Sequence, residues 1–131
     1  MNETASRPSV PHLLGACAFN PAAFLLPLVW GALFGVPAGV WVSVWSLAVG
    51  LAAGAWESRA LTHPLGVRIL FEVALVAGPA WFAFVADSKA WAKHVHEWTP
   101  KQYRTMQFKW AVGAVMFWAL IAWLAHIGML S

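Results

Sequence analysis

Charge is what this sequence has least of. Only 10% of its 131 residues are Asp, Glu, Lys or Arg, where a soluble domain carries about a quarter, and 61% are hydrophobic. From Ala16 to Trp56 there is no Asp, Glu, Lys, Arg or His; Ile69 to Ala86 is interrupted only by Glu72, and Trp110 to Leu130 only by His126. That excludes an ordinary soluble domain. Cysteine is almost absent too. Cys17 stands alone, which rules out an internal disulfide and a thiolate metal cluster. The "LGAC" ahead of it has the look of a lipoprotein box, but "MNETASRPSVPHL" offers no apolar stretch for a signal peptidase, so lipidation is not expected. Alternating ten-residue segments are missing, which excludes a membrane β-barrel. Catalytic sets are missing as well: there is no Ser-His-Asp pattern, no plausibly spaced Cys-His pair, no phosphate loop and no H-E-x-x-H. The expectation is a protein that is not an enzyme.

What is present is apolar length. A helix needs roughly 20 apolar residues to cross about 30 Å of hydrocarbon, and in lipid the backbone must satisfy its own hydrogen bonds. The reading is an all-α integral membrane bundle of three to four hydrophobic helices: a flexible tail over residues 1–15, then a single domain over 16–131. Its segments fall near 19–35, 38–56, 69–86 and 100–130, with an amphipathic interfacial elbow over 87–109. The first segment starts well, with Asn20 as cap and Pro21 at the first helical position. Pro27 then interrupts it, and Gly35, Pro37 and Gly39 follow, so it is either a re-entrant or interfacial helix or a weak span; we expect a dip. Pro79 is expected to kink the third segment.

The polar stretch "EWTPKQYRTMQFKWAV" explains itself as a helix start. Thr99, Pro100 and Gln102 form a capping box with proline at the first helical position. A helix from Pro100 to Leu130 would be about 46 Å long at 1.5 Å per residue, so its first turns project beyond the hydrocarbon. Tyr103, Met106 and Trp110 share one face there. "DSKAWAKHVHEW" reads as a short separate amphipathic helix with Trp91, Val95 and Trp98 aligned. Interface and lipid-headgroup roles are accordingly expected for Trp91, Trp98, Lys101, Tyr103, Arg104, Lys109 and Trp110. Five of the eight Lys and Arg (Lys89, Lys93, Lys101, Arg104, Lys109) lie between the last two apolar runs. This clustering points to a cytoplasmic, lipid-facing loop rather than a nucleic-acid surface, and places the shorter 57–68 loop and the carboxyl end outside.

Individual residues suggest less. In "HVHE", His94 and His96 point about 200° apart on a helix, and His94 with Glu97 makes only two ligands, so no metal site is expected. His126, deep in the last run, is the residue best able to ligate a haem or chlorophyll-type pigment through its imidazole. Glu72 is expected to pair with Arg68 one turn away. Gly31/Gly35 and Gly50/Gly54 have the spacing that lets helices approach closely, within the protein or across to a neighbour. Ten tryptophans suit interface belts and bulky packing.

"FNPAAFLLPLVWG", followed further along by "AWAKHVHEWTPKQYRTMQFKWAVGAV", resembles small bacterial inner-membrane proteins of the domain-of-unknown-function 2628 type. The likeness covers most of residues 18–116. It departs in carrying Pro21 where such proteins have an aromatic, and in lacking a basic, tyrosine-rich patch after the first segment. The resemblance implies no enzymatic residues. The combined expectation is a non-catalytic, multi-pass subunit or scaffold of a bacterial inner membrane without a cofactor, holding lipid and either a membrane-protein partner or further copies of itself. The alternative is a haem- or chlorophyll-binding accessory subunit of a respiratory or photosynthetic complex, with His126 as axial ligand. A third reading, a small transporter, would need a polar path past Ser43, Ser46, Glu72 and His126.

Overall fold

The computed structural model describes residues 9–15, 17–60 and 62–130, the side chains of 129 and 130 excepted; residues 1–8 of the expected tail lie outside that set. Among the described residues the chain is all α, with one isolated bridge between Leu14 and Cys17. Five helices follow in order: α1 (Pro21–Leu25), α2 (Pro27–Leu33), α3 (Ala38–Arg59), α4 (Leu65–His94) and α5 (Pro100–Leu130). The last three are long and apolar enough to cross a membrane, the architecture of a multi-pass membrane protein.

Segment 19–35 does not cross. Asn20 caps α1, its side-chain oxygen accepting from Ala23 N–H at 3.0 Å. The helix ends after five residues, because Pro27 cannot donate and Leu26 leaves helical geometry at φ −135°, ψ 60°. Both Asn20 and Trp30 hydrogen-bond Gln107, whereas Leu25 between them accepts from the Trp118 indole at 2.9 Å. Trp118 lies eleven residues further along α5 than Gln107, about 16 Å at helical rise. The segment therefore descends alongside α5 and returns, a re-entrant hairpin with both ends at one level. The Trp118 bond occupies a carbonyl at the break, the kind of satisfaction that irregular backbone at membrane depth requires.

Glycine makes the return tight. Gly35, at φ +64°, follows the end of α2; Val36 N–H reaches Gly31 O at 2.7 Å and Gly35 N–H reaches Ala32 O at 3.4 Å, the paired bonds of a Schellman motif. Where the sequence suggested a packing face through Gly35, the residue serves instead as a helix stop. Gly31 is a true close approach: a Cβ there would sit 2.9 Å from Gly39 Cα, so α2 and the start of α3 touch backbone to backbone.

α4 differs most from expectation. Instead of ending near Ala86 before a separate amphipathic helix, it continues unbroken to His94. No glycine or proline stands between Pro79 and Pro100 to stop it. Asp87, which in a helix interior usually competes for backbone donors, has its oxygens engaged elsewhere. The elbow is thus the last turns of α4, a tight turn through Val95–Trp98, and the first turns of α5. There the expected box forms: Gln102 N–H donates to Thr99 Oγ1 at 3.3 Å and Thr99 N–H to Gln102 Oε1 at 2.9 Å. α5 then runs without interruption to Leu130.

Burial is confined to one end of the molecule. Ala83, Ala86 and Ala90 form a small-residue stripe on α4 against which α1 packs through Ala22 and Ala23, beside Trp30, Phe34, Phe82, Trp91 and Tyr103. α3 has no buried residue after Val42, α4 none before Phe82, and α5 none between Val115 and Ile127.

Candidate functional site

Within the packed end lies a buried polar centre drawn from five stretches of chain. The Asn20 amide nitrogen donates to Asp87 Oδ1 at 2.6 Å and to Gln107 Oε1 at 2.9 Å; with its oxygen capping α1, both amide hydrogens and the oxygen of that side chain are engaged. The Tyr103 hydroxyl donates to the same Asp87 oxygen at 2.9 Å, and His12 Nδ1 lies 3.1 Å from Oδ2. The Trp30 indole donates to Gln107 Oε1 at 2.8 Å. Asn20, Asp87, Tyr103 and Gln107 are all fully buried. The Asn20 amide and the Tyr103 hydroxyl thus share Asp87 Oδ1 as their acceptor.

The local sequence produces this meeting. Asp87 follows Ala83 by one turn on the alanine stripe, so α1 comes close enough for Asn20 N–H to reach Ala83 O at 2.9 Å and for its side chain to reach Asp87. Tyr103 and Gln107 are one turn apart on the α5 face that meets α1 and α4. Chemically, the centre gathers polar side chains around one carboxylate. What it does is hold the re-entrant hairpin, the segment ahead of it, α4 and α5 in one register. His12 and Val10 bring residues 9–15, expected as loose tail, onto the core. The Gln107 amide nitrogen is buried without a partner among the described residues.

A second set of ties faces the elbow. Lys93 donates to Gly35 O, and His94 places Nε2 3.3 Å from Phe34 O. Basic groups thus cover the carbonyl end of α2, the favourable placement for positive charge. The other His94 nitrogen is 2.9 Å from Glu97, so within "HVHE" these two side chains are engaged with each other. Among the described residues no group of three His, Cys, Asp or Glu converges as a metal site requires.

The expected site residues divide. Tyr103 and Trp91, expected at the lipid interface, are core residues: Tyr103 is fully buried on Asp87, and Trp91 packs edge-on against it at 5.5 Å. Trp110 and Met106 also lean on the core. A helical stripe of aromatic residues identifies a face that is covered but not by what, and here α1 and α4 cover it. Trp98 is half-buried and stacked on His94 at 4.7 Å. Lys101, Arg104 and Lys109 are exposed. Glu72 and Arg68 pair at 3.2 Å, both well exposed. Gly50 and Gly54 meet nothing: a Cβ at either would find no atom within 4 Å, so they are not packing positions within the chain. His126 is exposed on α5.

Reading along the sequence missed Asp87, Gln107, Trp30 and His12, and gave Asn20 only its capping role. One signal was available: Gln107 sits on the otherwise apolar face of Tyr103, Met106 and Trp110, and Asp87 sits one turn from Trp91. A polar residue on an apolar stripe needs a buried partner. No family model matches the chain, and neither the curated proteins nor the solved structures contain a match.

Proposed function

We propose that this protein is a non-catalytic subunit or scaffold of a bacterial inner membrane that docks a partner membrane protein, or further copies of itself, through its open end, while the packed end anchors it at the cytoplasmic face. The carrying observation is that α5, from Val115 to Ile127, is exposed along its whole length, and that the Gly50–Gly54 face of α3 is equally uncovered. Glycines that pack nothing of their own leave a flat strip on which another helix can lie closely. The polar centre supports the same reading, since it fixes the hairpin as a rigid platform and presents no reactive group. The likeness to the domain-of-unknown-function 2628 type enters as part of this proposal, as do the absence of a resident cofactor and of enzymatic activity.

The test is complex size in mild detergent after extraction from the native membrane. Gly50→Leu and Gly54→Leu add bulk into open space, so they should leave thermal stability unchanged and shift the protein to a smaller particle. Unaltered particle size in both variants would remove the reading. An absorption band in the purified protein that disappears in His126→Ala would replace it with the cofactor-binding alternative.

A further inference from the structure

Of the residues expected at the lipid interface, the structure sends Trp91, Tyr103 and Trp110 inward and leaves Trp98, Lys101 and Lys109 around one groove. It holds about 450 Å³ and is completed by Gln102, Thr105 and Met106. We propose that this groove is a specific site for the phosphate of an anionic phospholipid. The proposal rests on the membrane-subunit reading above and identifies one of the ligands of that subunit.

Three observations carry it. Lys101, Thr105 and Lys109 stand at successive turns on one face of α5, so Thr105 lies about 6 Å along the helix from each lysine, within reach of a flexible ammonium. Side chains lean towards the amino end of their helix, which carries Lys109 towards Thr105. The site therefore pairs two positive charges with a hydroxyl donor, the complement of a phosphodiester. No acid lines it, and the nearby Glu97 is already held by His94.

Depth is the second argument. The apolar run of α5 begins at Trp110 and needs roughly 20 residues to cross, so Thr105 stands about 7 Å outside the hydrocarbon edge, at the level of the headgroup layer. The third is polarity: Met106 and Trp98 are half-buried and give the groove an apolar side where the glycerol and first methylenes would lie. Arg104, one residue from Thr105, points away from the groove lining although it is equally exposed. A site, as opposed to a diffuse positive surface, should distinguish these neighbours.

Native mass spectrometry of the full chain, delipidated in a neutral detergent and titrated with dioleoyl phosphatidylglycerol or phosphatidylcholine, tests this directly. Phosphatidylglycerol should bind tighter. Lys101→Gln with Lys109→Gln should weaken it about 25-fold, at about fivefold per lysine near a membrane surface, and Arg104→Gln less than twofold. Thr105→Val, which leaves the charge intact, should weaken it by about threefold. Millimolar inorganic phosphate should not displace the lipid. Equal binding of the two lipids, an equal loss in Arg104→Gln, or full displacement by phosphate would each overturn the site. If the lipids bind equally while the double lysine variant sheds a co-purifying protein, the groove recognises an acidic protein and the lipid proposal is wrong. The glycine variants report on the subunit reading separately, because they lie on α3 and leave the groove intact.

Discussion

The two ends of this molecule are built from similar apolar residues and obey different rules. At the packed end, alanines bring helices together, and a carboxylate bonded by Asn20, Tyr103 and His12, beside Gln107 bonded by Asn20 and Trp30, fixes their register. At the open end, Leu, Trp and Phe face outward and a Cβ added at Gly50 or Gly54 would meet no atom within 4 Å. In water the open end would be an aggregation surface; in a bilayer it is solvated by lipid tails, and apolar exposure there costs nothing. The contrast teaches that in a membrane chain hydrophobicity does not decide what is core. Small side chains and satisfiable polar groups do.

The sharpest way to break the comparison is topological and all-or-none. With α3 crossing and segment 19–35 returning without crossing, Ser9 and Ser88 are expected on one side of the membrane and Ser58 on the other. In a Cys17→Ser background, single cysteines at Ser9 and Ser88 should share one response to an impermeant reagent on intact cells, and Ser58 should give the opposite. Ser9 responding with Ser58 would mean that segment 19–35 crosses and the packed end is misread. If the elbow is cytoplasmic, Ser58 is the position that labels.

Next in size is the polar centre. Asp87→Ala removes the common acceptor of Asn20, Tyr103 and His12 and leaves buried donors unpaired, which should cost about 3–5 kcal/mol in thermal or denaturant unfolding in detergent. Asp87→Asn keeps the shape and an acceptor and should cost less. Phe82→Ala, at a fully buried ring, should likewise cost about 3–5 kcal/mol. Leu124→Ala, at the open end, should stay within about 0.5 kcal/mol. Equal losses for Phe82 and Leu124 would erase the distinction between the ends.

Much of the fold was legible because it rests on length and on breakers. The spans of α3 and α5, the Asn20 and Thr99 caps, the interruption at Pro27 and the Arg68–Glu72 pair all follow from local chemistry. Other features were not legible, because they depend on which segment folds back against which. Nothing local to Tyr103 says that its hydroxyl meets Asp87 rather than a lipid phosphate; that follows only once the hairpin has brought α1 between α4 and α5. The continuity of α4 through Asp87 was hidden for the same reason, since the partners that occupy its carboxylate lie far away in sequence. Glycine spacing was a partial guide: Gly31 does pack closely, against Gly39, while Gly35 stops a helix and the regular Gly50–Gly54 pair packs nothing in the chain.

Gly39 against Gly50 therefore gives a third, smaller measure. Gly39→Ala places a methyl against Pro27 O and within 3.1 Å of Phe82 Cζ, so the backbones must separate, and a loss of about 1–3 kcal/mol is expected from overpacking. Gly50→Ala, with nothing within 4 Å, should be neutral or gain up to about 1 kcal/mol, the helix propensity difference between alanine and glycine.

The smallest effect is at the junction of the two regimes, where α5 leaves the elbow. Thr99 and Gln102 exchange hydrogen bonds at its start, and both are exposed, so no core contact is lost when either is cut back. Thr99→Ala should cost about 1 kcal/mol, the usual loss of a helix N-cap, whereas Thr99→Ser or Thr99→Asp should preserve most of it because either oxygen can still accept from Gln102 N–H. Hydrogen exchange adds the spatial test. The amides of Gln102 and its immediate neighbours should exchange faster in Thr99→Ala, while Gln107, held by Asn20 and Trp30 less than two turns away, should keep its protection. Loss of protection at both would mean that the cap helps to hold the polar centre together. Loss confined to the first turn would mean that the polar centre, and not the cap, sets where α5 becomes rigid.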